Sequence, residues 1–215
     1  MWPCIKRYPY AMLLCVQLLS VIFYGFVATS HLNQLLLNCI GLVVPFVAVL
    51  VVYRTPATNW VAFALITPAV VCSVLAVNGW QHLLVWAQLS ESLLYFYAAF
   101  SLVMYMYRDD VVTLDELFAA AATFTLLVWG FALAYSVCQQ FYPNSILAAV
   151  NPEQPRTWIE LLFMSFSIQS STGVGDVIPV SGPARAIASL QIFAGVMYLT
   201  IVLSRLVGLA ASSKK

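Results

Sequence analysis

The chain has 215 residues, 63% of them hydrophobic and only 8% charged, with a formal net charge of +1. Soluble domains carry roughly 25% charged residues, so this composition excludes a water-facing globular surface and describes a polytopic membrane protein. The net charge of +1 says nothing about nucleic acid, but no basic stripe or base-reading motif is present, so no nucleic-acid partner is expected.

Lys6 and Arg7 precede an apolar run from about Tyr10 to Thr29. A signal peptide with its cleavage region at Ala28-Thr29-Ser30 is the alternative reading, but signal h-regions are shorter, roughly 7–15 residues. A retained first helix is therefore predicted. His31-Leu32-Asn33-Gln34 forms a short loop, and a second span runs from about Leu35 to Tyr53, closed by Arg54 and a Pro56-containing turn. The third span covers about Trp60 to Val77 before Asn78-Gly79, and the fourth about Leu83 to Tyr107 before Arg108-Asp109-Asp110. Each is near the roughly 20 residues that cross the hydrocarbon core. Pro45 and Pro68 are expected to kink spans two and three, with neighbours satisfying the freed carbonyls.

Residues 109–116 read as a charged connector in which Asp109, Asp110, Asp115 and Glu116 form a solvated, helix-starting segment. Thr113 and Glu116 have capping-box spacing, so the fifth span starts there and covers about Leu117 to Gln140. Its small face, Ala119-Ala120-Ala121-Ala122-Thr123, permits close helix approach in lipid. A polar stretch follows over residues 141–156. Thr157 and Glu160 form a second capping box, opening a helix from Trp158 to Gln169 that is too short to span. Leading into a Gly-containing loop, it reads as re-entrant, a geometry tolerated at membrane depth where backbone lines a cavity. Ser181-Gly182-Pro183 starts the sixth span, about Ala184 to Leu209, with Pro in the first turn. The fold class predicted is thus an all-α membrane protein of six transmembrane helices, with a re-entrant short helix and loop between helices five and six.

Six spans place both termini on one side. Lys6, Arg7, Arg54, Arg108, Arg205, Lys214 and Lys215 fall on that side, and only Arg156 and Arg185 opposite. The positive-inside rule then makes both termini cytoplasmic. The cysteines Cys4, Cys15, Cys39, Cys72 and Cys138 have no metal-ligand spacing and are read as free, buried thiols. No catalytic Ser/His/Asp or Cys/His arrangement is evident, no metal site is assigned to His31 or His82, and no enzyme activity is expected.

The loop Ser170-Ser171-Thr172-Gly173-Val174-Gly175-Asp176, followed by Val177-Ile178-Pro179, carries the functional signal. Two glycines one residue apart let alternate residues adopt angles closed to other amino acids, so consecutive carbonyls can turn to one side. A phosphate loop does not fit, because no Gly-Lys-Ser/Thr follows. A simple membrane turn is the alternative for the bare Gly-Val-Gly tripeptide. With its capping box, Asp176 and Pro179, the segment 157–209 resembles the pore module of the potassium-channel superfamily, whose pattern reads Thr-Thr-Val-Gly-Tyr-Gly-Asp, two residues, then Pro. Both glycines, the Asp and the Pro match. Ser171 stands for the hydroxyl residue, Thr172 for Val, and Val174 for Tyr.

The resemblance implies a chain divided into a four-helix unit over 1–108, the connector 109–116 and a pore module over 117–215. It implies ion binding by Ser171, Thr172, Gly173, Val174 and Gly175, with potassium ions at the carbonyls of Ser171, Thr172, Gly173 and Val174. Gly173 and Gly175 would permit the alternating backbone. Asp176, Thr157 and Glu160 would support the filter, and the carboxyl end of the pore helix near Gln169 would face the cation. One loop cannot close a ring of four, so the partners implied are three further copies of the chain, in membrane lipid. No cofactor is expected beyond potassium as the permeant ion. The family's Tyr anchors the filter through its hydroxyl, which Val174 lacks. This keeps a weakly selective monovalent cation channel open as an alternative. A secondary transporter with a broken helix at Gly173 fits less well, since such proteins show paired interrupted repeats.

Gly195 reads either as a gating hinge, by the resemblance, or as a small residue allowing close packing. The hinge reading expects Gly195→Ala to alter open probability and leave ion preference alone. Four helices before a pore module resemble voltage-gated channels in order only. Residues 83–107 contain no Lys or Arg, and sensing voltage requires several such charges, so weak voltage dependence is expected. Glu91, the ionisable residue deep in these spans, is a candidate proton-sensitive site, or a carboxyl partnered near His82. With ten residues after Arg205, no folded nucleotide- or calcium-binding domain is expected there, and any gate or sensor is expected in the helices, their loops or a separate partner. Compact loops point to a prokaryotic plasma membrane.

Overall fold

The computed structural model describes residues 9–27, 32–53, 55, 58–108, 113–205, 207 and 208, with side chains described except at 27, 32–40, 42 and 203. Lys6, Arg7, His31, Arg54, Asp109, Asp110, Lys214, Lys215 and Cys4, and the side chains of Asn33, Gln34 and Cys39, fall outside this set.

Helices α1 (Pro9–Val27), α2 (Leu32–Val52), α3 (Asn59–Val77) and α4 (Leu84–Met106) are followed by α5 (Leu114–Phe141), α6 (Trp158–Gln169) and α7 (Gly182–Tyr198). A single 3-10 turn, Gln81–Leu83, precedes α4, and a π-helical turn, Leu199–Leu203, continues α7. Among the described residues, five helices are long and apolar enough to cross a membrane: Pro9–Phe26, Asn59–Val77, Gln81–Met106, Leu114–Phe141 and Gly182–Val202. The backbone of α2 is helical over 21 residues and contains Pro45, as α3 contains Pro68. At 12 residues, α6 spans only about 18 Å, well short of a core roughly 30 Å thick.

The long central helix, α5, starts where its capping box dictates. Thr113 Oγ1 accepts from the Glu116 amide at 3.2 Å, and Glu116 Oε2 accepts from the Thr113 amide at 3.2 Å. Folded back in this way, Glu116 is buried and not solvated as its sequence context suggested. The other helices are arranged around α5. From α4, Ser92 donates to the Gly130 carbonyl at 2.8 Å, and Phe96 meets Phe131 edge-on at 4.9 Å. From α1, Gln17 accepts from Thr125 at 2.6 Å. From α7, Tyr198 donates to the Ala120 carbonyl, across the small face of Ala119 to Ala122. With no hydrophobic driving force between helices in lipid, such close packing and hydrogen bonding carry the association. The peripheral α3 is tied to α4 by Tyr97, which donates to the Thr58 carbonyl at 2.8 Å.

The main apolar core draws on α1 to α7 together, including Leu94, Tyr95, Trp129, Leu162 and Tyr198, so packing does not divide at the 109–116 connector. A second cluster includes Tyr135, Ile146, Leu161, Met164 and Val177. Two departures from the expected fold concern small features. A 2-stranded antiparallel ladder pairs β1 (Ile146–Ala148) with β2 (Val177–Pro179), Ile146 opposite Pro179 and Ala148 opposite Val177. The chain is therefore not purely α. Of the thiols, Cys138 is buried, but Cys15 is exposed on the outer surface of α1.

A capped short helix and its exposed loop

The short helix α6 is held at both ends. At its start, Thr157 and Glu160 form the expected capping box, with the Thr157 amide donating to Glu160 Oε2 at 2.7 Å. Arg156, just before it, is buried. Its guanidinium donates to the carbonyls of Val150 (3.2 Å), Asn151 and Gln154, and pairs with Glu160 at 3.4 Å. Gln139 of α5 brackets the Arg156 main chain, accepting from its amide at 2.9 Å and donating to its carbonyl at 3.0 Å. The polar stretch 150–156 is thereby wrapped around one cation.

At its other end, α6 closes with the paired bonds of a Schellman motif. The Ser171 amide donates to the Ile168 carbonyl at 3.1 Å and the Thr172 amide to the Ser167 carbonyl at 3.1 Å. Ser171 takes the left-handed position usually given to Gly, with φ of 56°. Hydroxyls reinforce the turn: Ser170 donates to Phe166 at 2.7 Å and lies 3.1 Å from Thr172 Oγ1.

Residues 171–176 are all exposed. Positive φ recurs at Gly173, at 67°, two residues after Ser171. The alternation therefore falls on Ser171 and Gly173; Gly175 is not in the left-handed region, contrary to the expectation for the glycine pair. The cause is the helix cap, which sets the phase at Ser171. Among the described residues, the carbonyls of Ser171, Thr172 and Gly173 accept no hydrogen bond. The Val174 carbonyl differs from its expected free state, because Ser167 Oγ, projecting from the last turn of α6, donates to it.

Beyond the loop the chain is clamped. The Ala149 amide donates to the Asp176 carbonyl at 3.0 Å, and the Val180 and Ser181 amides converge on the Ser145 carbonyl at 2.9 and 3.3 Å. Asp176 thus ties the loop through its main chain, and no hydrogen bond of its carboxylate is found among the described residues. Ser145 itself ends a turn over Tyr142-Pro143-Asn144-Ser145, with Asn144 at φ of 59° and the Ser145 amide 3.1 Å from the Tyr142 carbonyl. Sequence reading missed Ser145, Ser167, Arg156 and Gln139. Of these, the Pro-Asn pair was the visible turn signal.

Gly195 is buried against the end of α6. A methyl group there would lie 3.2 Å from the Gln169 carbonyl carbon and in hard overlap with its oxygen. The helix is regular at Gly195, and the departure from α geometry comes later, at Leu199–Leu203. The geometry shows a close packing contact at Gly195. Gln169 is fully buried, with both amide atoms unpartnered among the described residues.

Glu91 lies half-buried on α4, remote in sequence from the loop. It accepts from Tyr95 at 2.8 Å, so its partner is not His82, which is exposed and lies tilted against Trp80 with ring centroids 5.7 Å apart. Tyr95 meets Trp129 edge-on at 6.1 Å, and Trp129 meets Trp158, the first residue of α6, at 5.5 Å.

Residues 121–211, a little under half of the chain, match the model of a family described as "Ion channel". No curated protein and no solved structure matches the chain.

Proposed function

We propose that four copies of this chain, whose residues 121–211 match the ion-channel family model and whose described residues include five helices apolar and long enough to cross a membrane, form a channel that passively conducts potassium. The observation carrying this reading is the exposed loop whose Ser171, Thr172 and Gly173 carbonyls are free, held between a doubly capped helix and a strand ladder. Four such loops facing one another would supply rings of carbonyls that replace the hydration shell of a monovalent cation. In the assembled pore Val174 and Gly175 would continue the row, the Val174 carbonyl keeping a second lone pair for the ion beside its Ser167 bond, and the Ser171 hydroxyl would lie at its inner end. The carboxyl end of α6 adds partial negative charge. The short helix is re-entrant, α2 is the sixth span, and Thr157, Glu160 and Asp176 support the filter through its two flanks. Arg205 contacts the Met106 carbonyl and the Tyr107 ring, so α7 and α4 end together. This fits cytoplasmic termini in a prokaryotic plasma membrane, with the filter entering from outside.

A weakly selective cation channel is the second reading. Val174 favours it: its side chain has no hydroxyl to anchor the loop and is 61% exposed. Native mass spectrometry of detergent-solubilised protein tests the assembly. Tetramers are expected, and a stable monomer that conducts would remove the proposal.

Glu91 is proposed as a proton-sensitive element, because its carboxyl heads an aromatic chain through Tyr95 and Trp129 to Trp158 at the start of α6. Ionisable groups within membrane spans are costly and mark function. Wild-type currents are expected to change between about pH 5 and 8, and Glu91→Gln to abolish that change. Identical pH profiles for the two proteins would rule the element out.

A further inference from the structure

Behind the filter, a buried polar network joins three helices. Gln191 of α7 donates from Nε2 to the Ser165 carbonyl at 3.0 Å and to Ser165 Oγ at 2.7 Å. Its Oε1 accepts from the Tyr135 hydroxyl of α5 at 2.8 Å. Ser165 Oγ in turn donates to the Val128 carbonyl of α5 at 2.7 Å. Gln191, Ser165, Tyr135 and Val128 are each 0% exposed. Every side-chain donor and acceptor of this set that faces a partner finds one at ordinary length, in contrast to the unpartnered amide of Gln169 one turn further along α6.

Helices α6 and α7 meet at two points in the same register. Ser165 faces Gln191, and Gln169 faces Gly195, each pair separated by the same sequence offset. Residues four apart share a helix face, so one face of α7 presents a hydrogen-bonding grip and, a turn later, a bare backbone. The first fixes α6 in rotation and depth; the second lets its carboxyl end come close. A two-point contact of this kind defines where the filter carbonyls begin.

We propose that Gln191 is the positioning residue of the filter: through Ser165 and Tyr135 it sets the placement of α6, and with it the ion preference of the loop. Val174 has no hydroxyl to hold the filter from its own side, so this buried network acts beside the Ser167 bond to the Val174 carbonyl and the Asp176 main-chain clamp. The inference rests on the channel reading given above, but it has a readout that does not.

The test uses the full chain carrying Gln191→Met, which keeps length and removes both polar ends, and Tyr135→Phe, which removes one bond only. Ser189→Ala is the control, since among the described residues Ser189 bonds only to the Arg185 carbonyl of its own helix. Amide hydrogen exchange is followed over residues 165–172, and reversal potential is read with potassium opposite sodium. In Gln191→Met, exchange in that segment is expected to quicken on the order of tenfold, the scale of losing one or two buried hydrogen bonds. The potassium-to-sodium permeability ratio is expected to fall by a similar factor. Tyr135→Phe moves both in the same direction by roughly threefold, and Ser189→Ala moves neither. Unchanged exchange over 165–172 in Gln191→Met overturns the proposal, as does faster exchange with an unchanged permeability ratio in a selective channel. If Gln191→Met does not assemble, Tyr135→Phe decides by the same criteria. A wild type without potassium preference counts against the potassium reading alone, and the exchange data then judge the anchoring role by themselves.

Discussion

Gly195→Ala is expected to displace the filter end of α6 and to change both stability and ion preference. The added methyl would overlap the Gln169 carbonyl oxygen and sit 3.2 Å from its carbon. Both belong to backbone, so neither can rotate away as a side chain would. Overpacking of this kind costs about 1–3 kcal/mol, and relief requires α6 and α7 to separate. Because Gln169 is two residues from Ser171, that separation is passed directly to the loop. The hinge reading of Gly195 expected altered open probability with ion preference intact. The contact predicts a shifted reversal potential as well. Thermal unfolding in detergent and a bi-ionic reversal potential check both parts. Gly182→Ala is the matched control, since nothing lies within 4 Å of a methyl group there. A Gly195→Ala protein with wild-type melting and wild-type reversal potential would refute the packing argument.

Arg156→Ala is expected to release the outer loop. The guanidinium is the common donor for the Val150, Asn151 and Gln154 carbonyls, and it also pairs with Glu160. Its side chain is 1% exposed, whereas that of Glu160 is 34% exposed. Glu160 and the carbonyls can therefore recover water when Arg156 is removed, which limits the loss to about 1–3 kcal/mol. The fully buried limit for breaking an ion pair, about 3–5 kcal/mol, does not apply. Lysine is not a substitute, because one ammonium cannot reproduce the planar fork. The expected result is rapid proteolysis within residues 150–156 and a lowered melting temperature, with the capping box at Thr157 retained. Wild-type protease resistance in Arg156→Ala would show that the loop is held by Gln139 and its own turns.

The elements that were legible in the sequence are those with local signals. Thr157 and Glu160 defined the start of α6, and the glycine-bearing loop defined its end at Gln169. Ser181, followed by Gly and Pro, marked the start of α7, where Ser181 Oγ accepts from the Ala184 amide at 3.3 Å. Thr113 and Glu116 did the same for α5. What was not legible depends on partners distant in sequence. The strand ladder uses Ile146–Ala148, an apolar run too short to stand out within a polar stretch. Gln191, Ser165 and Tyr135 lie on three different helices, and nothing local marks any of them. Ser171 was read as an ion ligand, but its left-handed backbone is first a helix cap, a place where Gly is the usual signal. For Glu91 the nearby polar residue in the sequence, His82, was the wrong partner. Tyr95, four residues on and therefore on the same helix face, was the better candidate throughout.

The most direct test of the central claim is the reversal potential of purified wild-type protein in a planar bilayer, with potassium on one side and sodium on the other. The proposed pore predicts a value near the potassium equilibrium potential, with Ser171 to Gly175 working as a selective filter despite Val174. Clear unitary currents reversing near zero would contradict potassium preference and establish the weakly selective channel in its place.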